Sequence, residues 1–409
     1  MVHMAQKNAH HTRATSVNDM TRTAALRVAL FIVLLGIPDG AVGVMWPALR
    51  ADFSRPIGDL GVLVVVMTAL YVAGGIVFSR ASHLIAVTTV IRASCVLSVL
   101  ATVGWLVANS WLAVLAAVAV FGLARGVVDS AVNAAAAGRI RELGWLHAGW
   151  AVGGTIGPLL VAATVSGSQW RGAVAVIAAL SAVVTMAALA ISEPDAAMPA
   201  EHASKAAATA PMSTTLVVAT VFAAYTAAEA GPVAWGYSYL VDHRHLHATA
   251  AALGMAALWL ALVGGRIALG TIGHRVDEMK LLAQCCGLLI ASLVLLWLAP
   301  TGIAVIGLPL IGLASAPVFP LLINRTPRLV SEAATPRVVG IAVAAAAVGG
   351  PVAVLIEGRI ADAAGVGAIA PCLVIAAALF AASCLTLRAP TWACSGHSAS
   401  SCSRRSSRC

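Results

Sequence analysis

The stretch Leu34–Leu49, LLGIPDGAVGVMWPAL, lies in the first long apolar run of the chain and holds two prolines, three glycines and one carboxylate, Asp39. A bilayer core of roughly 30 Å needs about 20 mostly apolar residues per helix. The run around Asp39 meets that length, and the same template recurs along the chain with short polar breaks. Twelve spans fit, near 25–48, 57–79, 84–107, 110–135, 145–167, 171–191, 214–240, 249–272, 279–299, 301–324, 337–358 and 366–387. Of the 409 residues, 60% are hydrophobic and 10% charged, and the mean hydropathy is +0.94. No ordinary water-soluble domain of this length is so apolar. The fold class is an all-α integral membrane protein, with the lipid bilayer as its first partner.

The net charge of +9 does not point to nucleic acid, because the basic residues alternate with the spans. Arg13, Arg22, Arg27, Arg80, Arg139, Arg141, Lys205, Arg275, Lys280, Arg325, Arg328, Arg337 and Arg388 fall on one side. The opposite loops hold only Arg50, Arg55, Arg171, Arg244 and Arg359. The positive-inside rule then places both termini in the cytoplasm of a multi-pass cell-membrane (inner-membrane) protein. Residues 1–23 are polar and lack a signal-peptide core, so the first span is expected to be retained. Five of the eight cysteines fall in spans and read as small packing residues. The other three lie in a basic tail, 389–409, without metal-ligand spacing.

Laying the second half over the first at an offset of 190 residues puts Asp39 on Glu229, Gly74-Gly75 on Gly264-Gly265, and GLA at 122–124 on GLA at 312–314. One residue out of that register, Gly149 meets Gly340 and Asn133 meets Asn324. Three residues out of the 190 register, Gly157-Pro158 meets Gly350-Pro351. The chain therefore reads as two pseudo-symmetric six-helix bundles, 24–192 and 214–388, joined by a polar cytoplasmic linker at 193–213. Parallel halves of this kind describe two-lobed secondary transporters, whose solute sits at mid-membrane between the lobes.

A charge at a helix centre costs about 2.5–3.5 kcal/mol on insertion scales, so ionisable residues inside spans are candidates for function. Asp39 sits mid-span between Pro38 and Gly40, with no charged neighbour one turn away. Arg125, Asp129 and Asn133 are spaced four apart and stack on one helix face, where Arg125 and Asp129 either neutralise each other or serve a ligand. Glu229 holds the repeat-equivalent position of Asp39. Trp150, Trp235, Tyr225 and Tyr237 either stack on a solute or fill helix interfaces. Glu357, near the end of its span beside Arg359, reads as a solvated terminus, and the run Asp242–His247, DHRHLH, as a solvated loop. A carboxyl in a dry cavity can carry a coupling proton, since losing its charge removes the desolvation penalty. No HExxH, GxSxG, P-loop or aspartate-rich diphosphate motif is present, so catalytic residues, metal and cofactor are not expected.

From about 25 to 388 the sequence resembles the major facilitator superfamily, in particular its proton-coupled sugar symporter branch that includes the fucose permease. The resemblance rests on GIPDGAVGVMWPAL, GLARGVVDSAVNA, GWLHAGWAVGGTIGPLL, AAEAGPVAWGYSYL, GGRIALGTIGHRV and GLASAPVFPLLIN. It implies two six-helix bundles, alternating access, a monomer, and a small, sugar-like solute such as a monosaccharide. It also implies proton coupling at Asp39 and Asp129. Asn133, Glu229, Trp235, Tyr225, Trp150 and Asn324 are the candidate solute ligands, and Arg125, Gly157, Pro158, Arg266, Arg275 and Asp277 the structural or gating residues. The superfamily loop rich in Gly, Asp and Arg is nearly erased between spans 2 and 3. It survives in the second half through Gly265, Arg266, Gly270, Arg275 and Asp277. Gly153, Gly157 and Pro158 form a GxxxGP fragment similar to that of drug and metabolite antiporters, which makes proton-driven efflux the alternative. A non-transporting receptor is the third reading, and the insertion cost of midplane carboxylates weighs against it.

Overall fold

The computed structural model describes residues 22–82, 84–135, 140–189, 210–272, 276–331 and 333–387. The two tails, most of the linker and Arg275 lie outside the described residues. Among those described, the chain is helical, with ten helices long and apolar enough to cross a membrane and two shorter apolar ones. In order they are α1 (Arg22–Asp52), α2 (Asp59–Ala81), α3 (Val87–Leu106), α4 (Trp111–Ala135), α5 (Ala148–Thr164), α6 (Trp170–Met186), α7 (Met212–Ser238), α8 (Ala248–Ile272), α9 (Glu278–Leu298), α10 (Thr301–Arg328), α11 (Thr335–Ala364) and α12 (Val366–Leu387). With twelve crossings, the start of α1 and the end of α12 share one face, called here the termini face; the other is the distal face.

Three expected boundaries are corrected. The fifth and sixth spans form one helical run, Ile140–Leu189. Its first part runs parallel to α1, since Gly36 lies against Trp150 and Gly40 against Gly154 and Pro158. Its second part starts where Trp170 and Arg171 bond Asp52 at the end of α1, and returns to where Thr185 bonds the Cys95 carbonyl of α3. The chain thus reverses between the two shorter apolar helices, Ala148–Thr164 and Trp170–Met186. Conversely, α10 is three short helices, Thr301–Ala304, Gly307–Ser315 and Val318–Arg325. Pro317 brings no N–H to the ladder, which accounts for the second break. The expected loop after α7 begins as a π-helix, Tyr239–His243, and Asp242 within it pairs with Arg50 at 3.1 Å.

The duplication read at an offset of 190 is carried by close backbone contacts. A Cβ on Gly122 of α4 would stand 2.2 Å from the Met67 carbonyl of α2, and one on Gly312 of α10 would stand 2.0 Å from the Leu258 carbonyl of α8. Likewise Gly153 of α5 meets Val33 O of α1, and Gly349 of α11 meets Ala223 O of α7. Small residues let helices approach this closely in a solvent that supplies no hydrophobic drive between them. Each half is therefore built on the same two tight pairs, α1–α5 with α2–α4, and α7–α11 with α8–α10.

The halves meet through α1–α7, α2–α11 and α5–α8. At the distal face, Gly58 at the start of α2 donates its N–H to Asp362 at 2.8 Å, and Arg359 of α11 reaches Asp59 at 3.4 Å. Gly58 and Gly61 lie against Gly358 and Leu355. At mid-depth the Trp150 and Trp259 rings meet edge to face, with centroids 5.0 Å apart. Among the described residues, α4 makes no extended contact with α10 or α11. The molecule is closed at its distal face.

Gly40→Ala would drive a methyl into the Gly154 carbonyl, 2.0 Å away, whereas a methyl on Gly264 meets nothing within 4 Å. Unfolding in detergent is expected to show Gly40→Ala destabilised by about 1–3 kcal/mol and Gly264→Ala unchanged or slightly more stable.

Candidate functional site

Asp39 is held from two other helices. Arg125 of α4 grips it with both ends of its guanidinium, Nη1 to Oδ1 and Nη2 to Oδ2, each at 2.5 Å. Trp150 of α5 donates Nε1–H to Oδ2 at 2.7 Å. The Arg125 side chain is 10% exposed and that of Asp39 18%. A planar fork facing a carboxylate is the geometry in which charge-assisted hydrogen bonds are strongest. Pro38 and Gly40 flank Asp39, and Gly40 lets α5 approach closely enough for Trp150 to reach the carboxylate. The expected Arg125–Asp129 pair on one helix face is therefore corrected, because Arg125 crosses to α1. Asp129 instead accepts the hydroxyl of Tyr71, from α2, at 2.5 Å, and Asn133 Nδ2 returns to the Asp129 carbonyl at 2.9 Å.

The second half contributes a related but rearranged cluster. Tyr225 donates its hydroxyl to Glu229 Oε1, one turn later on α7, at 2.7 Å, and its oxygen also lies 3.1 Å from the Ser315 carbonyl of α10. Arg266 of α8 supplies positive charge near Glu229. Its guanidinium carbon stands 5.6 Å from the centre of the Trp150 ring, a cation–π contact that joins the halves. The arginine partner thus comes from α4 in the first half and from α8, the counterpart of α2, in the second. Ser315 occupies the repeat position of Arg125, so the acid is repeated at the same register while its cation is not.

Asp39, Arg125, Trp150 and Arg266 therefore form one chain of contacts at mid-depth, with Glu229 in the field of Arg266 and Asp129 one turn beyond Arg125. Other expected ligands lie elsewhere. Tyr225 is 1% exposed and positions Glu229, while Trp235 is fully buried beneath Gly358 toward the distal seam. Tyr237, 7% exposed, is likewise packing. Asn324 is exposed near the end of α10 rather than beside its counterpart's cluster. Gly157 lies against Ile37 O and Ala41 N, and Pro158 against Gly40, so both seat α5 on α1. Asp277 caps α9 by accepting the Lys280 amide at 2.9 Å, which holds its carboxyl below the ordinary value. Glu357 is 4% exposed, which corrects its reading as a solvated terminus: Gly231 and Trp235 of α7 and Cys372 of α12 lie beside it.

Tyr71 and Trp259 escaped the sequence reading. Both stand in apolar runs where an aromatic residue is ordinary filling, and the one available signal for Tyr71 is that it is among only four tyrosines in the chain. Removing the Tyr225 hydroxyl leaves Glu229 Oε1 without that donor. Tyr225→Phe is expected to cost about 1–3 kcal/mol in detergent unfolding, and Tyr225→Leu more, since the ring also packs on Phe319 and Phe380.

The same architecture recurs in solved transporters. A point mutant of the nucleoside transporter NupG superposes with a TM-score of 0.72 at 11% identity, covering 88% of this chain and 98% of that one. A bacterial homologue of the human lysosomal transporter Spinster, in an inward-facing and unoccupied conformation, superposes at 0.71 with 13% identity, over 90% and 97%. Its inward-facing and occupied form gives 0.65 with 14% identity, over 90% and 95%. No curated protein sequence matches the chain. The sequence pattern of the Major Facilitator Superfamily matches residues 28–354. Together with the twelve-helix duplicated fold, that match makes the chain a member of the Major Facilitator Superfamily, a membrane transporter of small solutes rather than an enzyme.

Proposed function

We propose that this transporter is a proton-coupled symporter of a sugar-like solute, working by alternating access with both termini in the cytoplasm. The single observation that carries the proposal is Asp39 at mid-depth, bound to Arg125 and Trp150 yet still 18% exposed. A purely structural pair has no need of solvent access. Protonating Asp39 removes the charge that holds Arg125, freeing the Nη1 and Nη2 donors and the Trp150 indole N–H for a polyhydroxylated ligand. Solute hydroxyls then donate to Glu229 or Asp129, and an apolar sugar face lies against the indole of Trp150. Proton and solute thus favour the same rearrangement, which is the thermodynamic content of coupling.

The charge bias of the loops supports a cytoplasmic termini face, so the distal-closed arrangement is the inward-facing one. To open outward, the molecule must part Arg50 from Asp242 and Arg359 from Asp59. The alternative, proton-driven efflux, draws on one specific observation. The Gly153–Pro158 fragment packs on Gly40, the residue after Asp39, so a shift of α5 is transmitted to the carboxylate whichever way the solute moves.

The test uses the purified protein in liposomes loaded with a pH dye, challenged with hexoses, deoxyhexoses and, because the nucleoside carried by NupG contains a pentose, nucleosides. Symport predicts solute-triggered acidification of the lumen that Asp39→Asn abolishes while the variant still folds. Alkalinisation of the lumen on solute entry would reverse the reading to antiport. Unchanged proton movement in Asp39→Asn would remove Asp39 from the coupling site.

A further inference from the structure

The distal seam buries a carboxyl that the Asp39 cluster does not use. Glu357 of α11 is 4% exposed, and its Oε2 has no hydrogen-bond partner. Both carboxyl oxygens lie 2.8 Å from where a Cβ on Gly231 of α7 would stand, so only glycine there leaves them room. Trp235 of α7 faces the carboxyl, with its Nε1 outside hydrogen-bond geometry. The same indole lies 2.9 Å from the Cβ position of Gly358, and Gly358 rests on Gly58 of α2. Glu357 and Trp235 therefore sit directly behind the surface along which the two halves part.

The charged neighbours do not neutralise Glu357. On its own helix, Arg359 is engaged with Asp59 and Asp362. From α2, Asp59 is held by Arg55 and Arg359. From α12 the facing group is the Cys372 thiol, and α7 presents Trp235. His243, at the end of the π-helix after α7, packs on Gly367 at the start of α12. Among the described residues no ion pair includes Glu357. A carboxylate oxygen buried without a donor, as Oε2 is, disfavours the charged form.

We propose that Glu357 is the proton latch of the distal gate: a proton from the distal bath adds to the carboxyl as the seam closes and returns to water when it opens. The inference rests on alternating access for the existence of an open state, but not on which solute moves or in which direction. Because one proton distinguishes the two states, the closed-to-open ratio should fall by as much as tenfold per pH unit as the distal pH rises through the titration. Neutral Glu357→Gln should stay closed at every pH.

Spin labels at Ala51 and Ala248, exposed distal positions on the two halves, with native cysteines replaced by alanine, report that ratio by pulsed distance measurement between about pH 5 and 8. The expected result is a short-distance population that declines with pH in the labelled parent and in Glu357→Asp but not in Glu357→Gln. A Glu357→Gln variant that follows the parent's pH response would overturn the proposal. A second measurement needs no cysteine replacement. The infrared difference between wild type and Glu357→Gln in the distal-closed state should contain a protonated carboxyl C=O stretch, and a carboxylate band in its place would equally overturn it. Neither readout requires a transported solute, so a silent sugar panel would count against the symport reading and leave this one standing.

Discussion

The pair between Asp39 and Arg125 is the constraint around which the first half is arranged. It fixes α1 to α4, and through Trp150 it adds α5, so three helices share one buried charge system. A lone carboxylate in hydrocarbon is expensive, and a carboxylate met by a bidentate guanidinium and an indole N–H is far less so. The glycines of α1 serve the same end. Gly36 and Gly40 bring α5 close enough for the Trp150 indole to reach Asp39. The aspartate near the middle of a bilayer span therefore has a structural explanation before a functional one.

The second half repeats the backbone more faithfully than the chemistry. Gly312 on Leu258 copies Gly122 on Met67, and Gly349 on Ala223 copies Gly153 on Val33. Glu229 keeps the register of Asp39, but its positive neighbour comes from α8, and Tyr225 stands where the first half has Leu35. The duplicated scaffold therefore carries unequal charge partners in its two lobes. At the distal end, Arg50, Asp59, Asp242, Arg359 and Asp362 tie the lobes by partly exposed contacts, individually weak and thus able to separate in each cycle.

Much of the fold was legible because it depends on patterns that sequence carries directly. Span length, loop charge and the 190-residue offset are one-dimensional signals, and the glycines that gave the offset are the ones that bring helices into contact. Hydropathy is blind to backbone breaks. It therefore joined the three pieces of α10 despite Pro317. The pairings among the candidate residues were not legible. Arg125 has Asp129 four residues on, the nearest acid along the helix, but Asp129 is taken by Tyr71 and the arginine reaches another helix. Glu357 was misread because a charge near a span end is usually wet, and nothing local reveals that α7 and α12 cover it.

The central claim is that Asp39 and Arg125 act as one buried unit, and a double-mutant cycle on folding stability tests it most directly. Asp39→Asn and Arg125→Met would be unfolded in detergent singly and together. The account predicts that each single change strands a partner and costs about 3–5 kcal/mol, while the double change recovers most of that loss. Losses that simply add would show two independent residues and contradict the account.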